Sequence, residues 1–481
     1  MSISGIDDLL IWKYFDEITR VPRPSKKEDK IRDYLVSFGR SRGLETLTDG
    51  VGNVLIRKGA TPGYEDHPPV VLQSHMDMVC AVDPGVKFDC ERDPVPAYVE
   101  GEWVRSRGTT LGADDGIGVA ATLAVLASDD LQHPPLEALF TVDEESGMTG
   151  ARHLRSGWLR GKILLNLDSE DEGELFIGCA GGMDTTAQFP LFFEGVPENM
   201  QAYRLVIYGL TGGHSGDEIH KGHANAIKLA ARFLLEATGD LEIRLSHLEG
   251  GTLRNAIPPQ AEALLVVASN RVKELKYLFE RFAATVQEEY RHTDPGMVLE
   301  LRESEMPAEV MPGERQLALL RALMGCWHGV YSWSPVIEGL VQTSTNLALV
   351  RQEGGRVVVG TSQRSSLESE KEVMAETVAS VFRLAGAEIE YGDGYPGWTP
   401  NPDSHILQIT KESYQQLFRT EPAVKAIHAG LECGLFLQQY PEMDMISFGP
   451  TIRGAHTPEE RLHIPSTRKF WDLLVAVLRR I

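Results

Sequence analysis

The sequence predicts an α/β fold of two domains, in which a mostly parallel sheet is interrupted by an inserted α+β domain. Apolar strand-like runs alternate with helical patterns up to about residue 190, and this alternation is typical of a parallel sheet. The middle of the chain instead indicates two successive α+β half-units, and a Gly- and Pro-rich stretch at 392–402 then returns the chain to a final α/β segment. The predicted boundaries are 1–195 and 396–481 for the α/β domain and 196–395 for the inserted domain.

Helical and apolar runs succeed one another in the first α/β segment. An amphipathic pattern predicts a helix before Pro22, and a second helix follows Pro24. A third helix follows the acidic stretch Asp114-Asp115-Gly116, and short apolar runs predict the strands. The predicted helices are 9–20, 27–42 and 117–126, and the predicted strands are 52–57, 70–73, 136–142 and 162–167.

The inserted segment combines strands and helices in each of its halves. The first half has predicted strands at 203–208 and 261–269 and helices at 224–237 and 272–290. The second half has predicted helices at 314–324 and 370–384 and strands at 334–342, 356–361 and 387–391. The final α/β segment ends with a strand at 444–448, a loop and a helix after Pro465.

The composition restricts the possible classes of function. The 481 residues include 47 basic and 69 acidic ones, which gives a net charge of -22. Nucleic acid and anionic membranes are therefore disfavoured as partners, because both are bound by basic surfaces. An apolar content of 42% and a charged content of 24% are typical of folded globular proteins. The longest apolar run, at 116–127, is too short to span a bilayer.

The N-terminus and the cysteines bear on the cellular compartment. No basic stretch followed by a long apolar core is present at the N-terminus, so no signal peptide is predicted and a cytoplasmic location is expected. The five cysteines are scattered and include no C-x-x-C pair. Neither a disulfide framework nor a thiolate zinc site is therefore predicted.

Potential metal ligands follow the apolar runs of the predicted α/β domain. They are His75 and Asp77 after the strand at 70–73, Glu144 and Glu145 after 136–142, Asp168 after 162–167, His456 after 444–448, and Asp114 before the third helix. A single acid at a strand end is most simply a turn residue or a helix cap. In open α/β sheets, bound molecules and ions lie beyond the carboxyl ends of the strands. Five such segments therefore predict one shared site.

The residue types at this edge suit a pair of divalent metal ions. Imidazole and carboxylate ligands favour zinc, with cobalt or manganese as alternatives. Two ions about 3.5–4 Å apart need a bridging carboxylate and together activate a water molecule. One acid must stay unliganded to accept a proton, and Glu144 and Glu145 supply adjacent acids for the two tasks. Asp77 lies on the same face of the strand as His75 and can hold its second ring nitrogen.

A series of short motifs runs through the whole chain. They are SHMD at 74–77, TLGADDG at 110–116, DEESG at 143–147, NLD at 166–168, GGHSG at 212–216, NAIP at 255–258, VGTSQRSS at 359–366, IHAGLECG at 427–434 and GAH at 454–456. In order and content they resemble the di-zinc peptidase family that includes carboxypeptidase G, peptidase T and peptidase V. The likeness is greatest to its bacterial aminoacyl-histidine dipeptidases.

The resemblance implies specific roles for seven residues of the α/β domain. It implies that Asp114 bridges two metal ions. It also implies that His75 and Asp168 are the other ligands of one ion, and that Glu145 and His456 are the other ligands of the second. It further implies that Asp77 orients His75 and that Glu144 is the general base. A cis peptide bond between Asp114 and Asp115 is also expected, as in relatives.

The resemblance also implies a lid domain that contributes to substrate binding. His214, with Asn255 nearby, is expected to stabilise the oxyanion, and Arg364 is expected to bind the terminal carboxylate of the substrate. Gly430 is a candidate for a backbone contact with the substrate. Whether His214 acts in its own chain or in a partner subunit stays open, as does a homodimer. Other polar residues near His214 are expected to be helix caps or solvated groups: Asp217, Glu218, His220 and His223.

The function predicted from these motifs is metal-dependent hydrolysis of dipeptides with free termini, including Xaa-His and carnosine-like dipeptides. Two alternatives remain. An N-acyl amino acid amidohydrolase of the same family would have the same metal site. A metal- or peptide-binding protein without catalysis would need no unliganded base such as Glu144.

Overall fold

The computed structural model describes residues 3–190 and 192–481. The chain forms two compact units: the first contains the chain up to Cys179 with Trp398–Ala426 and Leu431–Ile481, and the second contains Ala180–Gly397 with Ile427–Gly430. The chain thus first passes from one unit to the other between Cys179 and Ala180, 16 residues before the predicted boundary at 195/196. The reason is the strand Gly181–Pro190, which pairs along its whole length with Arg356–Ser365 of the second unit.

The first unit is built on an eight-stranded sheet, which confirms the predicted α/β class. Its strands lie in the order Glu45–Thr48, Val54–Lys58, Leu136–Thr141, Val70–His75, Ile163–Asn166, Asp444–Ser447, Glu174–Cys179 and Ala423–Ile427. The central four strands are mutually parallel, whereas the strands paired at either side of them are antiparallel. Val70–His75 and Leu136–Thr141 are buried at every position, as expected for parallel strands covered on both faces.

Helices and a small second sheet complete the first unit. The helices are Leu10–Ile18, Asp29–Ser41, Ala113–Ala127, Glu144–Gly147, Thr149–Arg152, His405–Phe418, Glu432–Gln439 and Ile464–Leu478, with a 3-10 turn at Ile3–Gly5. Ala113–Ala127 packs against the strand Val70–His75 and the helix Leu10–Ile18. The small sheet contains Ile452–Arg453, Arg461–His463, Trp103–Ser106 and Ala97–Glu100 in that order.

The second unit is built on a nine-stranded antiparallel sheet. Its strands lie in the order Val298–Glu303, Met200–Tyr208, Ala261–Ala268, Arg244–Gly250, Val341–Glu353, Arg356–Ser365, Gly181–Pro190 and Glu388–Tyr391, and Gly329–Trp333 pairs with Val341–Glu353. The two halves of the sheet meet at the register pair Gly250 and Val350. The helices are Ala226–Leu241, Val272–Glu289, Gly313–Gly325 and Glu368–Leu384, with 3-10 turns at Ile219–Lys221 and Ser269–Arg271. A further short ladder pairs Glu194–Gly195 with Glu309–Val310.

Two expectations from the sequence are wrong at the level of local structure. The strand predicted at 334–342 is mostly the loop between Gly329–Trp333 and Val341–Glu353. The Ser334 hydroxyl accepts hydrogen bonds from the backbone of Val336 and Ile337 there, which favours a turn over a strand. The prediction of no disulfide is also wrong, because Cys80 and Cys90 are bonded, with their Cα atoms 6.2 Å apart. Among the described residues, no helix has the length and apolarity needed to cross a membrane.

Candidate metal centre

The predicted ligands of the α/β domain lie at the carboxyl ends of its parallel strands. His75 is the last residue of Val70–His75, Asp168 follows Ile163–Asn166 by two residues, and the segment after Leu136–Thr141 leads to Glu144 and Glu145. Adjacent parallel strands end at the same edge of the sheet, so these side chains converge.

Asp114 and His456 reach this edge from loops rather than from the sheet. Asp114 lies at the start of Ala113–Ala127 with a non-helical backbone, and the Asp114–Asp115 peptide bond is cis, which confirms the expectation. His456 lies between the two short strands Ile452–Arg453 and Arg461–His463, and its φ of 64° is in the left-handed region. Each loop therefore delivers one side chain to the end of the sheet.

Five of these side chains form two groups that could each hold a metal ion. His75, Asp114 and Asp168 form the first group, and Asp114, Glu145 and His456 form the second. In the first, His75 Nε2 lies 2.9 Å from Asp114 Oδ1 and 3.3 Å from Asp168 Oδ1. In the second, His456 Nε2 lies 3.0 Å from Asp114 Oδ2 and 2.9 Å from Glu145 Oε2. Asp114 thus turns one carboxylate oxygen towards each group.

The donor atoms fit a pair of divalent ions. Bonds of about 2.1 Å to a tetrahedral zinc ion would put neighbouring ligand atoms about 3.4 Å apart, close to the separations of 2.9–3.3 Å within the two groups. Each group contains one imidazole and two carboxylates, a donor set that suits zinc, cobalt or manganese. In addition, the buried Glu145 Oε1 has no hydrogen-bond partner among the described residues, which leaves it free to act as a ligand.

Asp77 connects the first group to the acidic segment. Its Oδ1 lies 3.4 Å from His75 Nδ1 and accepts a hydrogen bond from the backbone N–H of Glu144 at 3.0 Å. Its Oδ2 accepts from the backbone of Glu145 at 3.3 Å and from the Ser25 hydroxyl at 2.7 Å. Asp77 therefore lies within ion-pair distance of the His75 imidazole, as predicted from the sequence, and it also accepts hydrogen bonds from the backbone of the adjacent acids, which the sequence did not predict.

Protonation preferences in this cluster follow from crowding and burial. Burial and the neighbouring acids raise the pKa of Asp168 to about 7, and burial raises the pKa of Glu144 well above its usual value. Hydrogen bonds to Asp114 and Glu145 raise the pKa of His456 to about 11. The cluster thus concentrates carboxylates at a density that favours the binding of cations.

Several residues that surround this cluster were not anticipated from the sequence. Asp115 is buried, and its carboxylate accepts the backbone N–H groups of His75 and Gly118. Glu432 is buried and accepts hydrogen bonds from Gln73 and Thr141 at 2.6 and 2.8 Å. The adjacent acid in the DD pair was the signal for Asp115. Glu432 lies within the IHAGLECG motif at 427–434, from which the sequence analysis selected the backbone at Gly430 instead.

The predicted substrate-binding residues belong to the second unit. His214 Nδ1 lies 3.2 Å from Asp217 Oδ2, so Asp217 contacts His214 and is more than a helix cap. Hydrogen bonding to His214, together with the charges of Arg364 and His428, lowers the pKa of Asp217. The backbone carbonyl of Asn255 accepts a hydrogen bond from the backbone of Ser215.

Arg364 is a buried cation of the second unit, and its charge acts on Asp217 and His428. Its side chain donates to the Tyr395 hydroxyl at 2.8 Å, while its Nε has no hydrogen-bond partner among the described residues. The neighbouring His428 is bonded to the Ser344 hydroxyl at 2.7 Å. Gly430 is the last residue of the segment Ile427–Gly430, which belongs to the second unit. The five acidic and histidine residues of the 214–223 segment do not form a metal-ligand group among the described residues.

A parallel α/β sheet whose rim carries two ligand groups with a shared carboxylate defines the class of protein. It is that of hydrolases with a dinuclear metal centre. The model of the peptidase family M20/M25/M40 matches residues 71–480, and the chain belongs to this family. The family resemblance inferred from the motifs is therefore confirmed.

Individual relatives agree with this assignment. The chain is 43% identical over 479 residues to the cytosol non-specific dipeptidase of Escherichia coli strain K12, covering 100% of this chain and 99% of that protein. It is 42% identical to the crystal structure of aminoacylhistidine dipeptidase from Vibrio alginolyticus, with a TM-score of 0.93 and coverage of 100% and 98%. The aminopeptidase PepT structure from Bacillus cereus, at 17% identity, a TM-score of 0.58 and coverage of 98% and 97%, shows the fold alone.

Proposed function

We propose that this protein is a metal-dependent dipeptidase that hydrolyses dipeptides with free termini, including Xaa-His and carnosine-like substrates. The observation that carries the proposal is Asp114, which is shared by two ligand groups beside the separate acid Glu144. The relatives in E. coli and Vibrio alginolyticus are named as dipeptidases, which supports the substrate class. The E. coli name also supports a cytoplasmic location.

The metal ions would be held by His75 and Asp168 on one side and by Glu145 and His456 on the other, with Asp114 between them. When bound, two such ions polarise the scissile carbonyl group and make a water molecule acidic. Zinc is the first candidate, and cobalt or manganese are alternatives.

Glu144 would act as the general base of the reaction. Its carboxylate accepts the proton of the attacking water and returns it to the leaving amine. Two backbone hydrogen bonds from the Glu144–Glu145 segment to Asp77 fix the direction of both acids. Asp77 thereby keeps the base oriented while it also holds His75.

The substrate would be recognised by residues of the second unit. Arg364 would bind the terminal carboxylate, because the Nε–H of its buried guanidinium has no partner among the described residues and its fork geometry matches carboxylates. His214 would donate to the oxyanion, with its ring oriented by Asp217. Asn255 and the backbone at Gly430 are further candidate contacts.

Removing the metal ions is expected to abolish hydrolysis while most of the fold persists. The buried parallel strands do not depend on the ions, which would bind only at their rim. Dialysis against a chelator, followed by activity assays and circular dichroism, measures both effects. Zinc, cobalt and manganese added back separately identify the effective ion. Full activity in the metal-free protein would contradict the proposal.

Arg364→Ala is expected to lower kcat/KM for dipeptides, with a loss of transition-state stabilisation of about 2–4 kcal/mol. The reason is that the substrate carboxylate would lose a desolvated ion pair. The loss should be much smaller for a C-terminally amidated dipeptide, which lacks the charge. The measurement compares carnosine, an alanyl-histidine dipeptide, its amide and a tripeptide. Arg356→Ala provides a control, since Arg356 starts the same strand but pairs with Glu388.

The same panel separates the dipeptidase from its alternatives. Equal rates on all four substrates would exclude selection for dipeptides. Hydrolysis of N-acetyl amino acids alone would instead indicate an amidohydrolase, and metal binding without hydrolysis of any substrate would indicate a binding protein.

A further inference from the structure

Two buried charged residues outside the ligand groups contact the loop that carries Asp114. They are Arg23, which precedes the second helix, and Glu460, which follows the His456 loop, and each is 2% exposed. Charged side chains are rarely buried to this extent unless they are fully engaged with partners. Their partners are therefore informative about their role.

Glu460 binds four consecutive backbone N–H groups. Its Oε2 accepts hydrogen bonds from Leu111 and Gly112 at 2.8 and 2.9 Å. Its Oε1 accepts from Ala113 and Asp114 at 2.7 and 3.3 Å. A run of N–H groups that converge on one carboxylate forms an anion-binding nest. Glu460 thus fixes the backbone up to and including Asp114.

Arg23 binds one carbonyl group of the same loop and two carbonyl groups just after the strand Val70–His75. Its guanidinium donates to the carbonyls of Met76 and Asp77 at 3.1 and 2.6 Å, and also to the carbonyl of Gly112. One side chain therefore joins the end of the strand that carries His75 to the loop that carries Asp114.

Two glycines make room for this guanidinium. A Cβ atom on Gly112 would lie 2.7 Å from Arg23 Nη2, and one on Gly116 would lie 2.5 Å from the same atom. Both separations are too short for non-bonded atoms. Gly112 also has a φ of +68°, which side chains disfavour. The glycines of the LGADDG motif thus fit the loop around Arg23.

We infer that Arg23 and Glu460 are positioning residues for the dinuclear centre, an inference that rests on the proposed function. Together they hold the 111–114 backbone from its N–H side and its carbonyl side. Asp114 can turn one oxygen to His75 and the other to His456 only if this backbone is fixed relative to the strand end. Neither residue contacts the ligand atoms themselves. Their effect is therefore on metal affinity and turnover rather than on substrate binding.

Glu460→Gln is the direct test of this inference. The amide has one acceptor oxygen, and its NH₂ group would face two of the four N–H donors, so the loop should lose its fixed position. We expect the affinity of the apo protein for zinc to fall by about 10–100-fold. With saturating metal, kcat should fall while KM for a dipeptide stays unchanged. A chromophoric chelator in competition with the apo protein measures affinity and stoichiometry independently of activity.

Glu137→Gln is the matched control. Glu137 is also a buried carboxylate that accepts two backbone N–H groups, from Arg160 and Gly161, and pairs with Arg57 at 2.8 Å. It lies near the start of Leu136–Thr141, whereas the metal ligands follow the ends of the strands. This variant should lose thermal stability but keep the metal affinity and kcat of the wild type.

Each outcome of the experiment is decisive. Wild-type metal affinity and kcat in Glu460→Gln would overturn the inference and leave the dipeptidase proposal intact. If that variant does not fold, Glu460→Asp decides: reduced affinity supports the inference, and wild-type affinity overturns it. Arg23→Lys should also weaken metal binding, because an ammonium group cannot reach three carbonyls in the same fork geometry. A wild-type protein that binds no metal would overturn the proposed function and this inference together.

Discussion

Glu144→Gln is expected to lower kcat by about 10²–10⁴ or more, while both metal ions stay bound. The amide keeps the size of the glutamate and can accept a hydrogen bond, but it cannot take a proton from the attacking water. Glu144 lies in neither ligand group, so its replacement removes no donor from the ions. A loss of turnover without a loss of metal is the signature of a general base.

The orientation of the backbone at Glu144 should survive this substitution. The backbone N–H groups of Glu144 and Glu145 donate to the side-chain carboxylate of Asp77. Replacing the carboxylate of Glu144 by an amide does not change these hydrogen bonds. The remaining defect is therefore chemical rather than structural. Secondary structure and melting temperature are expected to match those of the wild type.

The neighbouring Glu145 offers the control for this prediction. Glu145→Gln should lower the metal affinity, because Glu145 Oε2 lies 2.9 Å from His456 Nε2 in the second ligand group. Metal content and kcat are measured on both variants with a dipeptide substrate. If Glu144→Gln lost its metal while Glu145→Gln kept both ions, the roles of the two acids would be reversed.

The parts of the site that lie within one short motif could be predicted from the sequence. The apolar run Val70–Leu72 predicts a buried strand that leads to His75, and the two-residue spacing of a strand predicts that Asp77 lies on the same side as His75. The same reasoning applies to Asp168 and to the acids after the Leu136–Thr141 strand. A parallel sheet collects such strand ends at one edge, so local patterns and fold class together predict the site.

Contacts between distant segments could not be predicted in this way. Glu460 contacts Leu111 across 349 residues, and Arg23 contacts Gly112 across 89. Arg23 stands between two prolines and Glu460 follows another glutamate, and at such positions a charged side chain is ordinarily exposed. Only the folded chain shows that they are buried, and only their partners show why.

Some elements were missed because their sequences are weak strand signals. Gly181–Pro190, which reads GGMDTTAQFP, contains two glycines and several polar residues. It forms a strand because it pairs on both sides in the sheet, with Arg356–Ser365 and with Glu388–Tyr391. Tertiary pairing therefore decides its conformation, and with it the point where the second unit begins.

Asp114→Ala is expected to abolish measurable hydrolysis by removing the ligand that both groups share. Asp114 Oδ1 lies 2.9 Å from His75 Nε2, and Oδ2 lies 3.0 Å from His456 Nε2. Loss of this carboxylate leaves each group with one imidazole and one acid, too few donors for a stable divalent site. The loss of affinity should exceed the about 10–100-fold that is typical of a residue acting through a ligand, such as Glu460.

The measurement is the number of ions bound per chain, obtained with the wild type and the variant under the same competing chelator. Asp115→Asn is the matched control, because Asp115 is the adjacent acid but accepts backbone N–H groups from His75 and Gly118 rather than belonging to a ligand group. That variant should retain measurable metal binding, with a smaller defect that comes from the position of His75. Two tightly bound ions and wild-type kcat in Asp114→Ala would show that the shared carboxylate is not required, and the dinuclear arrangement would then have to be rebuilt from other residues.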